Sequence, residues 1–160
     1  MFVTTEYRVK FYDTDTFGVV HHSNYIRWFE TGRVEFLRVL GIDLNEMMSD
    51  GILFPIIEVS AKFHAPAKFD DELEIETTAE ALTKAKMKFN YVIRKRGEEK
   101  ILAEGTQRTS SRAVEKFAAY PINILLNLST LRHEPEIFYK NFNCVGAWSV
   151  FSKVSRGGTA

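Results

Sequence analysis

The sequence of 160 residues contains one cysteine, Cys144, and no long apolar run. A single cysteine excludes an intrachain disulfide, and nothing in its use indicates an oxidising compartment. Residues 1–10 are polar and alternating, so we predict no signal peptide, and the longest apolar stretches are too short to span a membrane. These absences predict a cytoplasmic protein with no membrane partner.

The chain also lacks an excess of charge of either sign, because 21 Lys and Arg residues balance 21 Asp and Glu residues. This balance argues against a nucleic-acid-binding protein that relies on bulk positive charge. No His, Cys or carboxylate residues have the spacing of a metal site, so we predict no bound metal. The length suits one domain, and the 13 Phe residues predict a core or an interface rich in aromatic rings.

Residues 24–40 carry the spacing of three and four that is typical of an amphipathic helix. Ser23 or Asn24 can cap its start, and Gly41 stands where a left-handed residue ends a helix. Gly32 lies on the apolar stripe, where the missing side chain would allow the helix to approach a sheet closely. The predicted stripe comprises Tyr25, Trp28, Phe29, Gly32, Phe36, Leu37 and Leu40.

Alternation with a period of two predicts β-strands at residues 7–12, 54–64, 72–81, 84–96 and from 101 to about 114. We predict that the third and fourth of these strands form a hairpin in which Ala81 faces Ala85 and Glu80 faces Lys86. The order of one strand, a long helix and at least four further strands predicts an α+β fold. In that fold the helix stripe packs on an antiparallel sheet.

Residues 11–37, FYDTDTFGVVHHSNYIRWFETGRVEFL, combine a turn with two carboxylates, a glycine and the start of the predicted helix. A helix start offers unpaired N–H groups and a partial positive charge, which can hold an oxyanion that forms at a thioester carbonyl. Asp15 could attack that carbonyl or deprotonate a water, and His22 could orient the water or shuttle a proton. Asp13 and Asp15 could instead be turn and cap residues only, and His22 a structural hydrogen-bonding residue.

The pattern D-x-D-x-x-G-V-V-x-H-x-x-Y, followed by F-E and R-x-E-F-L, closely resembles the 4-hydroxybenzoyl-CoA thioesterase family. Within that family it looks most like the YbgC-type acyl-CoA thioesterases. Residues 66–71, PAKFDD, which lead into an L-x-I-x-T strand, also match, so the resemblance covers residues 7–105. It implies a hotdog fold, in which a curved antiparallel sheet of about five strands wraps one long helix.

The resemblance also implies an activity, the hydrolysis of an acyl- or aroyl-CoA thioester to the free acid and coenzyme A. It implies no cofactor besides the coenzyme A of the substrate, and a homodimer or homotetramer with active sites at the subunit interface. Asp15 would be the nucleophile or general base, and His22 would assist. The backbone positions that hold the oxyanion or position the substrate would be Gly18, Val20, Ser23 and Asn24.

A non-catalytic acyl-CoA-binding or sensing module is the alternative function, because the same fold supports both. The joint presence of Asp15, Gly18 and His22 favours the enzyme, since a sensor needs only the pocket. Hydration or dehydration of an acyl thioester is a further alternative, but it needs a second acid–base partner that the sequence does not offer. His64 and His133 have no constellation around them and are predicted to be structural.

Two parts of the chain are not explained by the resemblance alone. A basic face on the predicted strand 84–96 could meet the phosphates of coenzyme A, or it could be a solvated face paired with glutamates, which we favour. Residues 106–112 are unusually polar for the last strand of the family, and residues 138–160 match no part of it. We predict a hotdog domain over residues 1–137 and an atypical C-terminal tail over 138–160. The basic face comprises Lys84, Lys86, Lys88, Arg94 and Arg96.

Overall fold

The computed structural model describes residues 1–83 and 86–110 of the chain. The predicted tail, the predicted end of the domain at residue 137 and His133 therefore lie outside the described residues. No helix in the described part is long and apolar enough to cross a bilayer. The elements are β1 (Phe2–Arg8), a 3-10 turn (Phe11–Asp13), α1 (His22–Val39), α2 (Leu44–Ser49), β2 (Ile56–Phe63), β3 (Glu72–Thr83), β4 (Lys86–Lys95) and β5 (Ile101–Ser110).

The five strands form one antiparallel sheet in the order β1-β3-β4-β5-β2, and α1 lies against one face of it. The ring of Phe29 stacks on Tyr91 of β4, with centroids 4.6 Å apart, and Phe36 meets Phe89 edge to face at 6.0 Å. All seven residues of the predicted helix stripe are buried. The predicted α+β architecture of five strands and one long helix is therefore confirmed.

The helix touches the sheet most closely where glycines remove side chains. A Cβ atom on Gly32 of α1 would lie 2.4 Å from Oγ1 of Thr77, so the predicted close approach is confirmed. A Cβ atom on Gly105 of β5 would lie 2.4 Å from the ring of Phe29 and 2.5 Å from the carbonyl oxygen of Ser60. These two positions fix the distance between α1 and the sheet.

The predicted register of the β3–β4 hairpin is wrong by two residues. Ala81 faces Met87 and Glu80 faces Lys88, and the register changes once between Ala81 and Thr83. Because side chains alternate with a period of two, a shift by two residues leaves every side chain on its own face. The apolar pattern therefore excludes a slip of one residue but fits both even registers.

The predicted strand at residues 7–12 is wrong beyond Arg8, where β1 ends. The cause is Asp13, whose carboxylate accepts a hydrogen bond of 2.8 Å from the N–H of Lys10 and so closes a 3-10 turn. The turn rotates Phe11 and Tyr12 out of the sheet, and both rings are exposed. Their alternation with polar neighbours therefore does not mark a strand.

The polar sequence after Gly105 still forms the last strand of the sheet, to the end of the described residues at Ser110. Gln107 and Thr109 point inward and are buried. The carbonyl oxygen of the Gln107 side chain accepts a hydrogen bond of 2.8 Å from the hydroxyl of Tyr91. An inward polar side chain with a buried partner thus replaces the apolar residue expected there.

The basic face of β4 is paired with carboxylates of the neighbouring strand. Lys88 lies 3.1 Å from Glu80, and Arg94 lies 3.3 Å from Glu76. The hydrogen bonds from Asn90 and Lys88 lower the pKa of Glu80. These contacts favour the solvated face over a site for coenzyme A phosphates, and Lys84 lies outside the described residues.

Candidate active site

Asp13 holds the loop that precedes α1 in place. Its buried carboxylate accepts hydrogen bonds from the hydroxyl of Tyr7 at 2.9 Å and from the N–H of Lys10 at 2.8 Å. Its carbonyl oxygen accepts from the N–H of His21 at 2.9 Å and from the side-chain amide of Asn24 at 2.7 Å. Burial raises the pKa of Tyr7 to about 12, and the hydrogen bond to Asp13 acts in the same direction. These contacts make Asp13 a structural residue.

Asp15, two residues later, stands in a different environment. Its side chain is half-buried, and Oδ1 accepts a hydrogen bond of 2.8 Å from the N–H of Phe17. Its backbone closes a tight loop, because its N–H donates to Val19 at 2.9 Å and its carbonyl accepts from Gly18 at 3.0 Å. Gly18 has a φ of 70°, a left-handed conformation that favours glycine. The loop therefore fixes the backbone of Asp15 while one carboxylate oxygen has no partner among the described residues.

The helix begins at His22, two residues before the predicted start, and its cap is His21. Nδ1 of His21 accepts a hydrogen bond of 3.3 Å from the N–H of Ser23. Ser23 and Asn24 were the predicted caps, and that prediction is wrong. Asn24 is buried and donates its side-chain amide to Asp13, so it is not available to cap the helix.

Among the described residues, the N–H groups of the four predicted backbone positions all donate hydrogen bonds, whereas the N–H of His22 does not. Gly18 donates to Asp15, Val20 to Ala67, Ser23 to the His21 ring and Asn24 to the His21 carbonyl. The described residues contain no acceptor for the N–H of His22. This N–H therefore remains the open donor at the positive end of α1.

A cavity of about 350 Å³ opens beside the start of α1. Tyr25 forms one wall: its hydroxyl accepts a hydrogen bond of 3.0 Å from the N–H of Ala67, and its ring meets Phe63 edge to face at 5.2 Å. Burial raises the pKa of Tyr25 above its ordinary value. The lining residues are Val20, His22, Tyr25, Phe63, His64, Ala65 and Pro66.

The structure thus unites the predicted site only in part. Val20 and His22 line the cavity, whereas Gly18, Ser23 and Asn24 shape the loop and the helix start around it. Asp15 lies in the same loop but outside the cavity lining. No group of three or more His, Cys, Asp or Glu side chains in residues 1–83 and 86–110 is arranged to hold a metal ion.

One residue of the cavity, His64, is not predicted from the sequence to belong to the site. His64 lines it, and Nε2 of His64 lies 3.2 Å from Oε1 of Glu104. The two residues are forty positions apart in sequence, and only the pairing of β2 with β5 brings them together. No sequence pattern in a single chain signals such a pair.

Comparison with known proteins identifies the family of the chain. Residues 9–123 match the Thioesterase-like superfamily, and the chain belongs to it. Over 70 residues the chain is 37% identical to the acyl-CoA thioester hydrolase YbgC of Escherichia coli O6:H1, a match that covers 44% of this chain and 52% of YbgC. The match thus spans about half the length of that relative.

Two solved structures extend the likeness to the whole fold. The protein TT1821 of Thermus thermophilus has a TM-score of 0.70 and 34% identity, over 84% of this chain and 100% of TT1821. The gentisyl-coenzyme A thioesterase BH1999 has a TM-score of 0.64 and 31% identity, over 68% of this chain and 87% of BH1999. The predicted hotdog fold and thioesterase family are confirmed.

Proposed function

We propose that the protein is a thioester hydrolase that converts an acyl- or aroyl-CoA thioester to the free acid and coenzyme A. The names of two relatives support it, an acyl-CoA thioester hydrolase and a gentisyl-coenzyme A thioesterase. The observation that carries the proposal is the loop of Asp15 at the start of α1, directly beside an aromatic cavity. A carboxylate and an open helix-start donor are the two groups that thioester hydrolysis needs.

Asp15 supplies the carboxylate in this proposal. Its Oδ1 is held by the N–H of Phe17, so the side chain has a fixed direction, while Oδ2 can meet substrate or water. As a general base it takes a proton from water, whose oxygen then bonds to the thioester carbon as the thiolate of coenzyme A departs. As a nucleophile it bonds to that carbon itself and expels the thiolate of coenzyme A, and water then hydrolyses the resulting mixed anhydride to the free acid and the Asp15 carboxylate. Both routes need Asp15 ionised and close to the carbonyl.

The N–H of His22 is the oxyanion donor in this proposal. It is the helix-start amide without an acceptor among the described residues, and the dipole of the 18-residue helix α1 adds positive potential there. The imidazole of His22 is exposed at the cavity, where it can orient water or move a proton. The engaged amides of Ser23 and Asn24 keep the helix start rigid around this donor.

The reaction in this form requires no cofactor beyond the coenzyme A of the substrate. A thioester carbonyl is activated enough for a positioned carboxylate and an amide donor.

We place the protein in the cytoplasm, because its single cysteine fits a reducing compartment and acyl-CoA is the proposed substrate.

We also propose that the protein acts as a homodimer or homotetramer. Strand β2 stands at one edge of the sheet, and no other strand among residues 1–83 and 86–110 pairs with its outer side. Ile57, Val59 and Phe63 on this strand are 55%, 39% and 47% exposed, which is unusual for an apolar strand face. Pairing with a second copy would cover this face. The mass in solution, measured by light scattering, decides between one, two and four chains.

The test of the activity is thiol release from a panel of aliphatic and aromatic acyl-CoA esters. Asp15→Asn is nearly isosteric but has no base or nucleophile, so we expect the rate to fall by about a hundredfold or more. Asp43→Asn is the matched control. Asp43 caps α2, and asparagine caps a helix equally well, so the control should keep the rate of the wild type.

The outcomes separate three interpretations. Hydrolysis by the wild type and the control, but not by Asp15→Asn, supports both the activity and the role of Asp15. Hydrolysis by all three proteins removes Asp15 from the chemistry. Binding of acyl-CoA without hydrolysis by any of them replaces the enzyme with the non-catalytic binding module.

A further inference from the structure

His21 connects the loop before α1 to the first turn of the helix. Its ring nitrogen Nδ1 accepts a hydrogen bond of 3.3 Å from the N–H of Ser23 and lies 2.8 Å from Oγ of the same residue. Its backbone is held on both sides, because its N–H donates to the carbonyl oxygen of Asp13 and its own carbonyl accepts from the N–H of Asn24 at 3.0 Å. The position of the imidazole is therefore fixed at the ring and at the backbone.

The ring of His21 also contacts the ring of His22. The two centroids lie 4.1 Å apart, and the planes make an angle of 37°. His22 lines the cavity, and its N–H is the oxyanion donor of the proposed function. Because the two residues are adjacent and their rings touch, a change at His21 alters the position of both the ring and the N–H of His22.

We propose that His21 is a positioning residue of the active site and that its protonation lowers the activity; this rests on the proposed thioesterase function. The N–H of Ser23 can donate to Nδ1 only while that nitrogen keeps its lone pair, as in a neutral imidazole with its proton on Nε2. Protonation of Nδ1 removes this acceptor and puts a positive charge beside the positive end of α1. The helix then loses its side-chain cap next to the His22 donor.

The pH dependence of this effect has one sign. The contribution of His21 is present while its imidazole is neutral, and it is lost as the pH falls from about 8 to about 5, where imidazoles ordinarily titrate. The side chain is exposed, so protons reach it directly from solvent. Other titratable groups around this end of the helix add to the total profile, so the test compares proteins that differ at His21 alone. These groups are Asp13, Asp15, His22 and Tyr25 on the same loop and helix, and His64 with Glu104 from the sheet.

The experiment measures kcat and KM for the best acyl-CoA substrate between about pH 5 and pH 8. His21→Asn keeps a side-chain acceptor for the N–H of Ser23 but does not titrate. We expect it to retain the kcat of the wild type at the upper pH within about twofold, and to lose less activity than the wild type on acidification. His21→Phe keeps a ring beside His22 but has no acceptor. Its kcat should fall by about tenfold at the upper pH with KM nearly unchanged.

Asp43→Ala is the matched control for the loss of a helix cap. The side chain of Asp43 caps α2 and accepts a hydrogen bond of 2.7 Å from the N–H of Asn45, and α2 contributes no residue to the cavity lining. Its loss should lower stability but leave kcat and the pH profile as in the wild type. A purely structural cap at His21 would make His21→Phe behave in the same way.

The tautomer of His21 gives a second readout that requires no activity. Long-range ¹H–¹⁵N spectra near the upper pH should show the proton on Nε2 and a bare Nδ1, and the amide signal of Ser23 should follow the titration of the ring. A proton on Nδ1 under these conditions would refute the proposal, because the N–H of Ser23 would then have no acceptor on the ring.

The results against the proposal are distinct from failure of the thioesterase function. If the wild type and His21→Asn share one pH profile, the acid response is refuted, and if His21→Phe keeps the full rate, the positioning role is refuted. In both cases the enzyme stands. A full rate in His21→Phe with a low rate in His21→Asn would assign the effect to the ring contact and overturn the role of the cap. If the wild type hydrolyses no ester of the panel, the proposed function and the role of His21 in it fall together.

Discussion

Helix α1 meets its surroundings in two contrasting ways along its length. In its middle, α1 lies very close to the sheet. A Cβ atom on Gly32 would collide with Thr77, and a Cβ atom on Gly105 of β5 would collide with the ring of Phe29. At its start, His22 borders a cavity of about 350 Å³. One rigid element therefore carries both a tightly packed contact and an open site.

The contrast shows how the fold supports the chemistry. The site needs room for substrate, so the residues around it pack less completely than those at the sheet contact. The sheet contact supplies that rigidity, because interiors packed at crystal density resist displacement. Hydrogen bonds to Asp13 then fix the loop onto the helix start. We expect substitutions at the contact to change stability most, and substitutions at the cavity to change activity most.

The largest loss of stability is expected for Gly105→Ala. The new Cβ would lie within 2.5 Å of both the Phe29 ring and the backbone oxygen of Ser60, and the backbone oxygen cannot move without disturbing β2. We expect the free energy of unfolding to fall by about 3 kcal/mol, as in strongly overpacked cores. Urea unfolding measures it, and a loss below about 1 kcal/mol would show that the contact is looser than described. Phe29→Leu in the same chain should recover part of the loss.

A smaller loss is expected for Gly32→Ala. The methyl group would meet the hydroxyl of Thr77, but alanine regains about 1 kcal/mol of helix propensity, so the net loss is about 2 kcal/mol. Thr77→Ala removes the colliding atom, which is buried and has no hydrogen-bond partner in the described part of the chain. Combining both substitutions should therefore restore most of the stability. Equal losses with and without Thr77→Ala would contradict this explanation.

Much of this architecture is predictable from the sequence because it depends on periodicity. The seven apolar positions of α1 recur with the helical period, and the close approach at Gly32 follows from a glycine on a buried stripe. The sequence predicts the register of β3 with β4 only to within a shift by an even number of residues. The bulge near Ala81 does not alter the alternation of apolar and polar residues, so the pattern does not reveal it.

The candidate site is likewise predictable from the sequence only in part. The Asp15 loop and the helix start lie within one continuous motif, so sequence could place them beside each other. The cap at His21 and the pairing of His64 with Glu104 depend on contacts that form only in three dimensions. Only the resemblance to the family separates the predicted roles of Asp13 and Asp15, since both carboxylates suit a turn.

Tyr7→Phe tests the link between the packed contact and the site. It removes the hydrogen bond to Asp13 but keeps the ring, whose centroid lies 5.1 Å from that of Trp28. The carboxylate keeps its bond from Lys10, so we expect a loss of about 1 kcal/mol in the free energy of unfolding.

The pH dependence of this loss has a definite sign. Burial raises the pKa of Tyr7 from 10.0 to about 12 in the folded protein. The contribution of the neutral hydroxyl is therefore complete below pH 10 and is lost as the pH rises to 12. The difference in stability between wild type and Tyr7→Phe should shrink over that interval. A constant difference from pH 9 to 12 would show that Tyr7 titrates alike in both states.

The smallest effect on stability is expected for Ala65→Leu, at the cavity. Ala65 lines the open space, and its N–H bond to Leu102 does not depend on the side chain, so three added carbons have room. We expect unfolding to change by less than about 0.5 kcal/mol, while kcat/KM for the best substrate falls by about tenfold because the acyl group loses volume.

Ala103→Leu is the matched control, because it makes the same change where Ala103 is fully buried against the core. Overpacking there should cost about 2 kcal/mol, far more than Ala65→Leu. Both variants exchange alanine for leucine, so a difference in their loss of stability reports the free volume around each side chain. If Ala65→Leu destabilises the protein as strongly as Ala103→Leu, the space beside Ala65 is not free in solution.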